Sequence, residues 1–168
     1  MKKILKPLAL FFLIVFVIIQ FFRPEKNINT GAAASINDIT TIYQVPEDVH
    51  SILKTSCYDC HSNNTNYPWY SNFQPVAWWL NDHIVEGKKE INFSEFASYR
   101  IGKKYKKLEE IIEQVKEDEM PLTSYTIIHR DALLNKDQKL SLTNWATSIM
   151  DSIKVQYPED SLKRPKRP

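Results

Sequence analysis

The feature that constrains this chain most is a Cys-x-x-Cys-His run at positions 57–61, which contains the only two cysteines of the 168 residues. The two intervening residues place both sulfurs on one side of a short turn, and His61 follows Cys60 directly. This spacing is typical of c-type haem attachment, in which two thiols add to the vinyl groups of the porphyrin and the histidine binds iron. We therefore expect one covalent haem c on Cys57 and Cys60, with His61 as an axial ligand.

Three other uses of this motif are less well supported. A structural zinc site needs four ligands, and the chain has no second cysteine pair to complete a set begun by Cys57, Cys60 and His61. A thioredoxin-like redox site needs a βαβ setting, and no strand pattern of useful length occurs. A disulfide across two residues would close a loop too small to add much stability. The pattern favours haem over all three.

The N-terminus has the pattern of an export segment. Three lysines within the first six residues precede an apolar run at 8–22, which approaches the roughly 20 residues that cross a bilayer. We predict that residues 1–22 form an uncleaved signal-anchor and transmembrane helix, with cleavage near Ala34 as the alternative. The lysines favour a cytoplasmic N-terminus. The chain is thus expected to be a single-pass protein of the cytoplasmic (inner) membrane, with its C-terminal domain in the periplasm or exterior.

Charge and composition limit the other possibilities. The formal net charge is +2, and the excess of basic over acidic residues lies in the leader and in the last residues rather than over the whole domain, so no nucleic-acid binding is expected. Three glycines are too few for a Gly-rich nucleotide loop. We predict a flexible linker at 23–45, a haem-binding domain at 46–157 and a basic, proline-rich tail at 158–168.

Hydrophobic periodicity predicts an all-α, cytochrome c-like domain around the haem, preceded by the transmembrane helix. The helices are expected at 46–57, at 75–85 with an end near Gly87, at 103–117, and over about 18 residues capped by Asn135. The loop at 62–75 is rich in aromatic residues, which we expect to pack on something large and flat. These residues are Tyr67, Trp69, Tyr70 and Phe73.

The sixth iron ligand is the open point of the predicted site. Met120 is the preferred candidate, because it lies outside any apolar stripe in a loop that Pro121 stiffens, and a thioether raises the haem potential. His83, on one face of the second helix, is the main competitor and would give bis-His ligation. Three further candidates have simpler structural explanations: His50, His129 and Met150.

Several separated segments resemble, in order, the bacterial haem-binding domain family of c-type cytochromes. The matching segments are Cys57–Ser62, Tyr67–Ser71, Asp82–Gly87, Ile91–Phe96, Met120–Pro121 and Leu140–Trp145. The family usually has Trp where Phe96 stands, which leaves the site unaffected. The resemblance implies one covalent haem c, with thioether bonds at Cys57 and Cys60 and axial ligation by His61. The order Met120, Pro121, Tyr125, His129 also resembles the distal loop of many monohaem cytochromes c.

The predicted haem and its two predicted iron ligands indicate a function. Two filled axial positions leave no site for a substrate, so we expect one-electron transfer at the outer face of the membrane, with redox proteins as partners, rather than an enzyme. The alternative is a haem-based sensor or a peroxidase-like enzyme with an open or labile sixth position. The sequence indicates no oligomeric state.

Overall fold

A computed structural model describes residues 2–29 and 35–163, with side chains from residue 5 onwards. Every regular element of these residues is helical, which confirms the predicted all-α class. The helices are α1 (Lys2–Ile19), α2 (Glu47–Ser56), α3 (Tyr58–His61), α4 (Val76–Glu90), α5 (Ile101–Lys116), α6 (Thr123–Thr126), α7 (Lys136–Gln156) and α8 (Glu159–Leu162). Short 3₁₀ helices lie at Ile39–Thr41, Trp69–Asn72, Phe93–Ser98 and Arg130–Ala132.

The core forms where α5 and α2 pack against the long helix α7. Apolar side chains three and four positions apart line the inner faces of these helices, which is why the periodicity located them within two to three residues. The predicted cap of the last helix is confirmed, since Asn135 and Gln138 form a reciprocal capping box at the start of α7. The buried residues at this junction include Val49, Leu53, Leu108, Val115, Leu142, Trp145, Ile149 and Ile153.

The transmembrane part of the predicted fold is wrong. No helix within residues 2–29 and 35–163 is long and apolar enough to span a bilayer. The prediction counted the apolar run to residue 22, but α1 ends at Ile19, and lysines and Pro7 occupy its first turns. Its apolar stretch from Leu8 therefore rises only about 18 Å at 1.5 Å per residue, against a hydrocarbon thickness of about 30 Å.

The chain after α1 lies against the domain, both in the last residues of the predicted anchor (to 22) and in the first residues of the predicted linker (from 23). The buried Gln74 side chain, 1% exposed, donates to the Phe22 carbonyl, and its backbone N–H donates to the Gln20 side chain. The Trp78 indole N–H donates to the same Phe22 carbonyl at 2.7 Å. Asn27 also donates through its side chain to the Ser62 carbonyl at 2.9 Å.

The second half of the expected linker contributes to the core. Ile39 is fully buried in the main apolar cluster, and the Gln44 carbonyl accepts a hydrogen bond from the Trp145 indole at 3.1 Å. The buried core thus begins before Pro46. The alternative cleavage site near Ala34 and the tail at 164–168 lie outside the described residues.

Candidate functional site

The Cys-x-x-Cys-His motif forms one tight helical turn, α3, directly after α2. Cys57 ends α2, with its N–H bonded to the Leu53 carbonyl at 3.0 Å, and it also begins α3. The N–H groups of Cys60 and His61 both return to the Cys57 carbonyl, at 3.2 and 2.9 Å. Both cysteines are free and half-buried. The local backbone therefore presents two unpaired thiols and an imidazole within a single turn.

A glycine lets α4 lie directly against this turn. A Cβ at Gly87 would lie 2.8 Å from the Cys60 carbonyl oxygen and 3.2 Å from its Cβ, so any side chain there would push the two elements apart. Sequence reasoning placed the end of the helix near Gly87, but α4 continues to Glu90. Gly87 allows two backbones to approach closely, and it does not end the helix.

The close approach fixes the orientation of His61. Its Nδ1 lies 2.8 Å from the Gly87 carbonyl oxygen and 3.1 Å from that of Ile91. Carbonyl oxygens only accept, so Nδ1 carries the proton and Nε2 keeps its lone pair. Metal-binding histidines commonly use this arrangement, in which a backbone carbonyl holds the nitrogen that does not bind the metal. Burial also lowers the His61 pKa, which favours the neutral ring.

The motif opens onto a cavity of about 540 Å³, within the range that ligand sites in proteins occupy. The predicted site residues meet there: Cys57, Cys60, His61, His83 and Met120 all line it. Much of the remaining wall is apolar, and its apolar side chains come from α2, α5, α7 and the segments that follow α4 and α5. These are Leu53, Ile91, Phe93, Ile111, Leu122 and Leu142.

The chemical state of the thiols follows from their surroundings. Burial raises the pKa of Cys57 to about 12 and that of Cys60 to about 11. Both sulfurs therefore carry their protons at neutral pH, as expected for unreacted thiols rather than for thiolate ligands. Within residues 2–29 and 35–163 no group of three or more His, Cys, Asp and Glu side chains is arranged to hold a metal ion.

Met120 reaches the cavity because the chain turns sharply after α5. Asp118 has a positive φ of 61°, a left-handed conformation that commonly ends helices. The N–H groups of Glu119 and Met120 both bond to the Gln114 carbonyl, at 2.9 and 3.1 Å. Two backbone hydrogen bonds thus fix the position of Met120 at the cavity wall.

His83 reaches the same cavity from α4. Its Nδ1 donates to the Trp79 carbonyl at 2.8 Å, and its ring lies against the Trp79 ring with centroids 4.3 Å apart. The proton on Nδ1 leaves the lone pair on Nε2, so His83 is also chemically able to bind iron. Of the weaker candidates, His50 packs edge-on against Tyr58 and Met150 is buried in the core.

The four aromatic residues of the loop at 62–75 do not line the cavity. Trp69 is 76% exposed and Phe73 is 51% exposed. Tyr70 instead pairs with His129, its hydroxyl lying 2.7 Å from His129 Nε2. Aromatic composition indicated a packing partner but could not say which one, because the contact joins residues 59 positions apart.

Sequence reasoning missed Asp59, and it noted Tyr125 only as part of the segment that resembles a distal loop. Asp59, between the cysteines, accepts a hydrogen bond from the Tyr125 hydroxyl at 2.7 Å, and both side chains line the cavity. Burial and the adjoining Asp59 carboxylate raise the pKa of Tyr125, so its hydroxyl stays protonated. For Asp59 the sequence offers one weak signal, a carboxylate at a position of the motif where any residue is allowed.

Charged side chains form one rim of the cavity. The Lys107 ammonium, whose side chain is 13% exposed, bonds to Glu110 at 2.6 Å and to Glu90 at 3.1 Å. Glu86, Lys106 and Glu113 also line the cavity. The cavity therefore has an apolar interior and a polar opening, which suits an amphipathic ligand.

Comparison with known proteins assigns this arrangement to a family. No curated protein and no solved structure matches the chain. A family model described as "Haem-binding domain" matches residues 14–148, which is well over half of the chain. The match includes the cysteine turn, α4, α5, the Met120 region and most of α7. Its cofactor is haem, and the chain belongs to the haem-binding domain family.

Proposed function

We propose that this chain binds a single haem c through thioether bonds at Cys57 and Cys60 and transfers one electron at a time. The observation that carries the proposal is the His61 ring, held by two backbone carbonyls beside two free thiols in one cavity. Haem iron supplies a reversible one-electron couple whose potential depends on its axial ligands. The protein residues supply attachment, orientation and exclusion of water.

The residues that line the cavity fit this group. The apolar walls suit a flat porphyrin. The two thiols are protonated and unpaired, which is the form available for addition to vinyl groups. His61 would serve as one axial ligand through Nε2, because its other nitrogen is already bonded.

Met120 is the proposed second axial ligand, with His83 as the alternative. Met120 lines the cavity on a backbone fixed by the Gln114 carbonyl, whereas the His83 ring lies tilted against Trp79 and donates to its carbonyl. If His61 and Met120 both bound the iron, no position would remain for substrate, and the chain would act as an electron carrier rather than an enzyme. We propose redox proteins as partners, at the outer face of the cytoplasmic membrane, on the basis of the basic and apolar leader at 2–22.

Haem attachment tests the first part of the proposal. The full chain is produced together with a c-type haem maturation system, and intact mass and haem staining are measured after denaturation. We expect one haem per chain that survives denaturation, and its loss when both cysteines are replaced (Cys57→Ser with Cys60→Ser). Haem that dissociates on denaturation of the wild type would refute covalent binding.

The ferric and ferrous spectra test the axial ligands. Met120→Ala should abolish the charge-transfer band of methionine-ligated ferric haem, and the matched variant His83→Ala should keep it. A low-spin wild type that lacks this band, and whose low-spin spectrum is unchanged in Met120→Ala but lost in His83→Ala, would make His83 the ligand. A high-spin wild type that binds carbon monoxide rapidly would refute the electron carrier and support the sensor or peroxidase-like alternative.

A further inference from the structure

The segment that carries Met120, residues 117–129, is fixed at both ends. At its start the Met120 N–H bonds to the Gln114 carbonyl of α5 at 3.1 Å. Just past its end, the Ala132 carbonyl accepts a hydrogen bond from the Ser56 hydroxyl of α2 at 2.9 Å. Between these points the segment crosses one side of the cavity.

The middle of this segment has little apolar burial. Thr126 is the one residue of 117–129 that is buried, and Ile127 and Ile128 are 59% and 61% exposed. Regions with few buried apolar contacts open easily, at a small fraction of the global unfolding free energy. The position of the segment therefore depends on its polar contacts.

The main polar contact runs from Tyr125 to the cysteine turn itself. The Tyr125 hydroxyl donates to Asp59 Oδ2 at 2.7 Å, across 66 positions of sequence. Asp59 is itself fixed, since its Oδ1 accepts from the Asn66 N–H at 3.0 Å and its carbonyl accepts from the Thr65 hydroxyl at 2.6 Å. Hydrogen bonds to a carboxylate are stronger than those between neutral groups.

A second contact supports the Tyr125 ring from behind. The His129 ring stacks on it, with centroids 4.3 Å apart and planes 11° from parallel. His129 Nε2 in turn lies 2.7 Å from the Tyr70 hydroxyl. Tyr125 is thus held at its hydroxyl by Asp59 and at its face by an imidazole that is itself anchored.

We propose that the Tyr125–Asp59 hydrogen bond is a latch that holds residues 117–129 against the cavity, and that Tyr125 is thereby a positioning residue for the sixth iron ligand. The iron ligand in this inference rests on the proposed function, but the latch is a property of the polypeptide alone. Removal of the hydroxyl frees the middle of the segment while both of its ends stay attached. The sixth position then opens more often without loss of the fold.

The haem-loaded full chain gives the first test. In Tyr125→Phe we expect carbon monoxide to bind the ferrous form about tenfold faster than in the wild type, which corresponds to about 1.4 kcal/mol. The methionine charge-transfer band should weaken, and covalent haem should remain. The matched control is Tyr67→Phe, which removes a hydroxyl that accepts from the Asn27 N–H at 2.8 Å outside the cavity, and its rate should equal that of the wild type.

Amide hydrogen exchange of the full chain without haem gives the second test. The N–H groups of Thr126, Ile127 and His129 bond within the segment, and they should exchange about tenfold faster in Tyr125→Phe while those of α7 keep their rates. Unchanged exchange would overturn the latch. Faster exchange with unchanged carbon monoxide binding would overturn the positioning role. If the wild type attached no haem, the proposed function would fail, and the exchange result would still decide whether the latch exists.

Discussion

Replacement of Gly87 by alanine tests whether the contact between α4 and the cysteine turn sets the site. The added methyl group would lie 2.8 Å from the Cys60 carbonyl oxygen, and that oxygen belongs to the backbone. A backbone atom cannot rotate away as a side chain can. The helix or the turn must therefore move by about 0.6 Å to reach the 3.4 Å of ordinary contact.

The size of the effect follows from this displacement. Overpacking costs about 1–3 kcal/mol. The same movement lengthens the hydrogen bond between His61 Nδ1 and the Gly87 carbonyl, 2.8 Å in the native structure, beyond normal geometry and costs about 0.5–1.5 kcal/mol more. Alanine regains up to about 1 kcal/mol over glycine within a helix. The net loss of unfolding free energy should be roughly 1–3 kcal/mol. Each kcal/mol lost should lower Tm by roughly 2–4 °C.

Urea unfolding of the full chain without haem measures this loss, and Gly102→Ala is the matched control. A Cβ at Gly102 would also meet a backbone oxygen, that of Ser161 at 2.9 Å. That oxygen belongs to α8, a four-residue helix near the end of the described chain that can shift at low cost. We expect Gly102→Ala to stay within about 1 kcal/mol of the wild type, because its helix-propensity gain offsets a small rearrangement. Equal stability of Gly87→Ala and the wild type, with an unchanged haem spectrum, would refute the reasoning.

Two further predictions concern the thiols and the start of the core. Burial raises the pKa values of Cys57 and Cys60 from about 9 to about 12 and 11, so the chain without haem should keep their contribution to stability below pH 9 and lose it as pH rises towards 11. Thermal unfolding from pH 7 to 11 checks this, and a Tm drop that is no smaller in Cys57→Ala with Cys60→Ala would contradict it. Ile39→Ala should destabilise by about 2–5 kcal/mol, whereas Ile36→Ala, at a site 86% exposed, should be near neutral in urea unfolding. Equal effects would show that Ile39 is not part of the core.

Local patterns in the sequence predicted much of the helical fold. The starts and ends of α2, α5 and α7 were located by apolar spacing and by the Asn135 cap, because these signals lie within a few residues of the structure they specify. The cysteine turn was found for the same reason, because its chemistry depends on residues that all lie within five consecutive positions. Haem binding, which the family match supports, follows from that short pattern.

Contacts between distant residues could not be predicted in this way. Residues 23–45 are polar and lack periodicity, so they resembled a linker, yet Asn27 and Ile39 find partners far along the chain. The Tyr125–Asp59 bond likewise depends on the fold to bring two ordinary residues together. The N-terminal error has another cause: an apolar run was equated with a helix, although α1 ends before the run does.

The two ends of α4 hold different parts of the molecule, and this makes the helix a spacer of fixed length. Near its N-terminus, Trp78 binds the chain that leaves α1, and near its C-terminus, Gly87 binds His61. Nine positions of helix separate these contacts, a rise of about 14 Å. The cavity therefore keeps a set distance from the point where α1 attaches.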